Sequence, residues 1–271
     1  MGMKRPLGLI GVGKMGEALV RGLLSSKHFA ANKIIVNDKD PSRLRYMEER
    51  YRVIAEKSSK GLIQKVDVCI LATKPQDMDE VLEEIKDRVS DRILLISIAA
   101  GITTDWIRSR VGPKTRIIRA MPNAPALVGM GATGLFLGGT VSSEEGDTAK
   151  SIFDCVGKTT LVSKEDHLNI VTGLSGSGPA YVFLLLEALI DAGVYLGLSR
   201  EISTLLSLQT VQGSAEMASK IEKSVSLLKE IITSPGGTTA AGLKWLEEGK
   251  LRATVLSAVE AATERSRQLA R

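Results

Sequence analysis

The sequence predicts an α/β protein, a doubly wound parallel sheet followed by an all-helical segment. Short β-rich runs alternate with amphipathic stretches from residue 7 to about residue 140. The β signal stops after about residue 165. A G-x-G-x-x-G at Gly11, Gly13 and Gly16 closes the first run and opens the first amphipathic stretch. A length of 271 residues fits two domains, at roughly 150 residues each.

The strand candidates, in order, are LGLIGV, KIIVND, DVCILAT, RILLISIA and TRIIRAM. Their near-continuous apolar character predicts parallel strands covered on both faces. Between them EALVRGLLSS, PSRLRYMEERY, QDMDEVLEEIKDRV and TTDWIRSRV carry the helical period. The glycine-rich Ala120–Gly139, with Pro122 and Pro125, is expected to lead out of the sheet. The later segments YVFLLLEALIDAGVYLG, REISTLLSLQTVQGSAEMA, SVSLLKEII, AAGLKWLEEG and LRATVLSAVEAATERSRQLA are helical by period and propensity. The expected division is therefore 1–164, a Rossmann-like domain, and 165–271, a helical domain. The helix after Gly178 is apolar nearly all round, so it must be buried on every side. About 105 residues do not enclose it, and an intertwined dimer follows as an expectation. Ser177 is its expected N-cap.

The glycine motif sits in the context that dinucleotide binding requires. Gly11 permits the turn, Gly13 admits a pyrophosphate to the backbone, and Gly16 allows close helix–strand packing. The anion then rests on free N–H groups at the helix N-terminus. The second strand ends at Asn37 and Asp38. An inward Asp38 accepts from ribose hydroxyls and favours NADH. An outward Asp38 leaves Asn37, Lys39 and Arg43 to hold a 2′-phosphate, favouring NADPH. A carboxylate about 4 Å from that phosphate costs roughly 4 kcal/mol at an effective dielectric of 20. One exposed lysine returns about 1 kcal/mol or less. Ala72–Pro75 and Ala99–Gly101 end two further strands, where small residues leave room for a nicotinamide ribose.

Composition narrows the partners. Hydrophobic residues make up 44% and aromatics 4%, too few aromatics for base stacking on nucleic acid. The net charge of +5 is interspersed and suits a small anionic substrate or a phosphate-bearing cofactor. Gly and Pro interrupt both long uncharged stretches, which argues against a membrane span and for a soluble, cytoplasmic protein. Cys69 and Cys155 sit in apolar runs and read as buried free thiols. No His/Cys/carboxylate spacing suits a metal. His28 and His167 fall outside the site loops and read as surface residues. A nicotinamide enzyme with no evident general acid points to a substrate that arrives protonated, such as a cyclic imine. "TSPGGTTAAGL", residues 233–243, offers N–H groups at a helix start for a small carboxylate, with Thr238 or Thr239 supplying a hydroxyl.

"IGVGKMGEAL", "ATKPQ", "SIAAGIT", "RAMPNAPALVGMGAT", "VTGLSGSGPAYVF" and "ITSPGGTTAAGL", in that order and spacing, resemble the pyrroline-5-carboxylate reductase family over nearly the whole chain. The resemblance implies reduction of 1-pyrroline-5-carboxylate to L-proline with NADPH or NADH, the last step of proline biosynthesis. It implies that Ile10, Gly11, Val12, Gly13, Lys14 and Met15 bind the dinucleotide. Asn37 and Ser59 then lie near the adenosine phosphate or ribose. Ala72, Thr73, Lys74 and Pro75, with Ile98, Ala99 and Ala100, line the nicotinamide half, and Asn123 lies near it. Ser234, Gly236, Gly237 and Thr238 bind the substrate carboxylate. Thr239 hydrogen-bonds the ring nitrogen, and Glu165 lies near the substrate. Homodimers with interlocked helical domains, often built into decamers, are implied as well. The chain departs from the family pattern in "SVSLLKEII", where Ile231 replaces a commonly polar residue.

Two other readings compete. A hydroxyacid dehydrogenase shares the glycine frame at Gly173, Gly176 and Gly178, but its proton-transfer lysine and its asparagine fall at Val182 and Leu185. A silent dinucleotide sensor has no need for a carboxylate loop such as SPGGTT.

Overall fold

The computed structural model describes residues 6–139 and 141–270. They form two compact units. In the first, β1 (Leu7–Ile10), α1 (Lys14–Ser25), β2 (Ile34–Asn37), α2 (Pro41–Tyr51), β3 (Ile54–Ala55), α3 (Ser59–Ile63), β4 (Val68–Leu71), α4 (Met78–Ile85), β5 (Leu94–Ser97), α5 (Thr104–Val111) and β6 (Arg116–Met121) alternate. They are followed by β7 (Gly131–Leu137), α6 (Ser143–Asp154), β8 (Gly157–Leu161) and α7 (His167–Val171).

The strands lie in the order β3-β2-β1-β4-β5-β6-β7-β8. β1 pairs in parallel with both β2 and β4, so the winding reverses between β1 and β4, where ligands of such sheets bind. The register matters for the site. Ile10 lies opposite both Asn37 and Leu71, so Gly11, Asp38 and Ala72 leave the sheet at one level.

Apolar residues pack on both faces, as the continuous strands predict. Leu7, Leu9, Val36 and Ile70 join Leu19, Leu23, Met47 and Phe153 on one side. Ile10, Cys69, Leu71 and Leu95 join Leu62, Leu82 and Ile107 on the other. Each fully buried large side chain contributes about 1.5–3 kcal/mol. Where caps exist they are local: Thr103 Oγ1 accepts from Trp106 N, and Asp40 accepts from Ser42 N ahead of Pro41.

Three expectations need correction. Ala120–Gly139 does not leave the sheet, because residues 131–137 return as β7, antiparallel to β6, and β8 extends it in parallel. By contacts the first compact unit runs to Ser177 and takes in residues 260–270. Leu168 is buried there, Ser266 Oγ donates to Asn169 at 2.8 Å, and Arg267 grips Asp166. Ser177 has helical backbone, φ −85° and ψ −23°, and ends a π turn over Thr172–Gly176, so it is not an N-cap. Cys155 is only half-buried, with Ser26 Oγ 3.2 Å from its sulfur, whereas Cys69 is fully buried and its thiol pKa is pushed up by desolvation.

The second unit holds α8 (Gly178–Tyr195), α9 (Arg200–Lys220), α10 (Val225–Ile231), α11 (Thr238–Glu248) and the start of α12 (Leu251–Leu269). α8 meets α9 closely at Gly193, where a Cβ would lie 2.7 Å from Ser203 Oγ. Leu186 is the buried residue of α8, while Phe183 and Leu184 are 63% and 67% exposed in the single chain. By length and composition alone the apolar segment His167–Tyr195 is also long enough to cross a membrane.

Candidate active site

The level ends of β1, β2 and β4 frame a cavity of about 380 Å³ in the first unit. Its floor is the glycine loop, and each glycine there has a separate geometric reason. Gly11 has φ +90°, and a Cβ on it would lie 2.7 Å from the Ala72 carbonyl. Gly13 has open space around its Cβ position, so its backbone can be approached to contact. A Cβ on Gly16 would lie 2.4 Å from the Gly11 carbonyl oxygen. No side chain caps α1, which leaves its first N–H groups for a ligand. A pyrophosphate suits that arrangement of bare backbone donors at the positive end of a helix.

The residues after β2 are tightly tied. Asn37 is buried; its Nδ2 donates to Glu56 O at 2.9 Å, and its Oδ1 accepts from Ser59 Oγ at 2.9 Å. Asp38 turns inward: Oδ2 accepts from Val12 N at 2.8 Å and Oδ1 from Asp40 N at 3.0 Å. Lys39 pairs with Asp77 at 2.8 Å. Arg43 Nε donates to Val12 O at 2.6 Å, its guanidinium pairs with Glu17, and it lies over the Tyr46 ring. Burial alone would raise the Glu17 carboxyl pKa, but hydrogen bonds from Arg43, Tyr51 and Tyr46 together hold it low. Tyr51 is pushed up to about 12, by burial first and by its bond to Glu17 second.

Of the residues expected from sequence, Ile10, Gly11, Gly13, Asn37, Asp38, Ser59, Ala72, Thr73 and Lys74 line this cavity. Val12 is buried beneath it, while Lys14 and Met15 begin α1. Pro75 opens a short 3-10 turn after the cavity wall. Ile98, Ala99 and Ala100 follow β5, outside the cavity lining. Asn123 is buried, donates to Ser175 O at 2.9 Å and accepts from Ala132 N at 2.8 Å, so it fastens the π turn to the start of β7. The sequence reading missed Lys57, Ser58, Asp77, Glu80, Val81 and Glu84, which also line the cavity. A signal existed for the last four: residues 77, 80, 81 and 84 follow the helical period along one face.

Glu165 is already engaged. It accepts from Thr104 N at 2.7 Å and Thr104 Oγ1 at 2.8 Å, and pairs with the buried Arg119 at 3.0 Å. Its carboxylate therefore joins the N-terminus of α5 to β6.

In the second unit, Ser234 to Gly237 turn tightly into α11. Gly237 N donates to Ser234 O at 3.1 Å. Gly236 has φ +69°, which glycine adopts without strain. A Cβ on Gly237 would lie 2.3 Å from Ser234 Oγ. Gly237 caps α11 without a side-chain bond, so the N–H groups around Thr238 and Thr239 are left for an anion. Ser234 and Thr238 are exposed and Thr239 is half-buried.

Comparison with known proteins agrees with this geometry. Residues 165–269 match the family model described as pyrroline-5-carboxylate reductase dimerisation. Residues 6–101 match that described as NADP oxidoreductase, coenzyme F420-dependent. The chain is 42% identical to the pyrroline-5-carboxylate reductase of Arabidopsis thaliana over 263 residues, covering 97% of this chain and 95% of that protein. A solved pyrroline-5-carboxylate reductase from Coxiella burnetii superposes with a TM-score of 0.95 at 40% identity, covering 98% of this chain and 99% of that one. The Plasmodium falciparum pyrroline carboxylate reductase, solved with NADP bound, matches at 0.87 and 36% identity over the whole of both chains. With its glycine loop, its SPGGTT turn and relatives matching end to end, the chain belongs to the pyrroline-5-carboxylate reductase family of NAD(P)H-dependent oxidoreductases.

Proposed function

We infer that this chain reduces 1-pyrroline-5-carboxylate to L-proline with NADPH or NADH, the last step of proline biosynthesis. The observation that carries the reading is the glycine loop: an uncapped helix start, one open glycine and two packed ones, at the level where the winding of the sheet reverses. The bound reduced nicotinamide supplies the hydride.

The remaining work falls to the chain's own groups. N–H groups of Gly236 and Thr238, with the Ser234 hydroxyl, hold the substrate carboxylate, and Gly237, whose own N–H goes to Ser234 O, shapes the turn that presents them. Thr239 hydrogen-bonds the ring nitrogen and so orients the C=N bond. The imine arrives protonated, so no side chain tuned near neutrality has to deliver a proton. Ile98, Ala99, Ala100, Pro75 and Asn123 shape the nicotinamide end. Glu165 acts near the substrate by fixing the start of α5. Val182 and Leu185 stand where a hydroxyacid dehydrogenase needs lysine and asparagine, which disfavours that chemistry. The protein works as a homodimer through its helical unit, with decamers as the larger assembly, and acts in the cytoplasm without membrane or nucleic-acid partners.

A steady-state assay with 1-pyrroline-5-carboxylate and each coenzyme tests the reading. Proline formation matched by coenzyme oxidation is expected. No turnover with either coenzyme would refute it.

A further inference from the structure

Two strands place charges of opposite sign across the adenosine end of the cavity. Lys39 follows β2 by two residues, where a Rossmann-type site meets the adenine-side ribose and any phosphate on it. Asp77 lies across the cavity, at the end of the turn that follows β4, and Glu80 and Glu84 continue its face on α4. Lys39 Nζ sits 2.8 Å from Asp77 Oδ1, with side chains 73% and 23% exposed. Of the other cations lining the cavity, Arg43 is committed to Glu17 and to the Val12 carbonyl, while Lys57 and Lys74 stand on the loops after β3 and β4 rather than after β2.

We propose that Asp77 is a coenzyme-selecting residue: it holds Lys39 across the cavity and so withholds from a 2′-phosphate the cation best placed to receive it. The proposal rests on the dinucleotide reading of this cavity and deepens it. A 2′-hydroxyl makes no demand on Lys39, so NADH leaves the pair intact. A 2′-phosphate must draw the ammonium away from Asp77 and then lie within the field of Asp77, Glu80 and Glu84. An exposed pair exchanges readily, so the preference is graded rather than absolute. Asp38 adds to it, because its inward carboxylate stands at the same end of the cavity.

The test is calorimetric binding to the intact protein, with adenosine 2′,5′-bisphosphate and adenosine 5′-monophosphate as probes, beside NADPH and NADH. Asp77→Asn should tighten the bisphosphate and NADPH about fivefold, the scale of one surface ion pair. The monophosphate and NADH should change by less than about twofold on that scale. In a Lys39→Met background the gain from Asp77→Asn should fall below about twofold, the part left by the direct field of Asp77. Equal tightening of all four ligands, no tightening, or a gain undiminished by loss of Lys39 would each overturn the proposal. Failure of the unaltered protein to bind any of the four would overturn the dinucleotide reading itself, a distinguishable result.

Discussion

A single methyl group separates the two jobs of the glycine loop. On Gly16 it meets the Gly11 carbonyl oxygen at 2.4 Å, inside a packed helix–strand contact. Gly16→Ala should therefore destabilise the fold by about 1–3 kcal/mol in urea denaturation, despite the better helix propensity of alanine. On Gly13 the methyl meets no protein atom within 4 Å. Gly13→Ala should leave stability within about 0.5 kcal/mol. It should weaken coenzyme binding at least about tenfold in calorimetry, because it fills the space of the pyrophosphate. Thr239→Ala should lower kcat about tenfold to a hundredfold, roughly 1.4–2.7 kcal/mol in the barrier, with coenzyme affinity unchanged. Equal loss of both would show that the threonine is structural. Asp166 tests pH dependence. Arg267 first and Asn169 second hold its carboxyl down to about 2. A lowered folded-state pKa stabilises above the unfolded value, near 4, and the gain is lost as pH falls through about 2. Asp166→Asn should be less stable than the unaltered chain above pH 4 and equal to it below pH 2, as followed by denaturation across that range.

The elements show which parts of the fold the sequence discloses. The first five long strands and nine of the helices coincide with their apolar runs and periods, because local pattern and burial agree there. β7 was hidden by Gly131 and Gly134, which read as breakers. In the fold they are contact points: a Cβ on Gly134 would lie 2.9 Å from Val171, and one on Gly131 would lie 2.9 Å from Ala126 Cβ. Only tertiary packing reveals that purpose. β8 is a short polar run, GKTTL, with no apolar signal to find. The glycine motif was legible because its spacing is itself the geometry. The acidic face of α4 shows its period in the sequence but not its place at the cavity, since charges on a helix ordinarily mean solvent. Glu165 illustrates the same limit. Resemblance implies a place near substrate, and only the structure adds that it ties α5 to β6 through Thr104 and Arg119. Glu165→Ala leaves the Arg119 guanidinium buried and unpaired, and should cost about 3 kcal/mol in chemical denaturation.

At the scale of the whole molecule, the second unit of one chain exposes more apolar surface than a solitary soluble domain carries. Phe183, Leu184, Leu205 and Leu206 are all at least half exposed. The match of residues 165–269 to a dimerisation family supplies the cover. Association then adds to stability by mass action, so the apparent Tm should rise with protein concentration. Phe183→Asp should shift the sedimenting species toward the monomer and abolish that dependence. A Tm independent of concentration across a hundredfold dilution would argue that each chain shields these helices by itself.

The bare face of α8 also bears on how the enzyme is made. A newly synthesised subunit carries its stickiest helix unprotected until it meets a twin. Because pairing is bimolecular, a dilute subunit keeps that face uncovered for longer than a concentrated one.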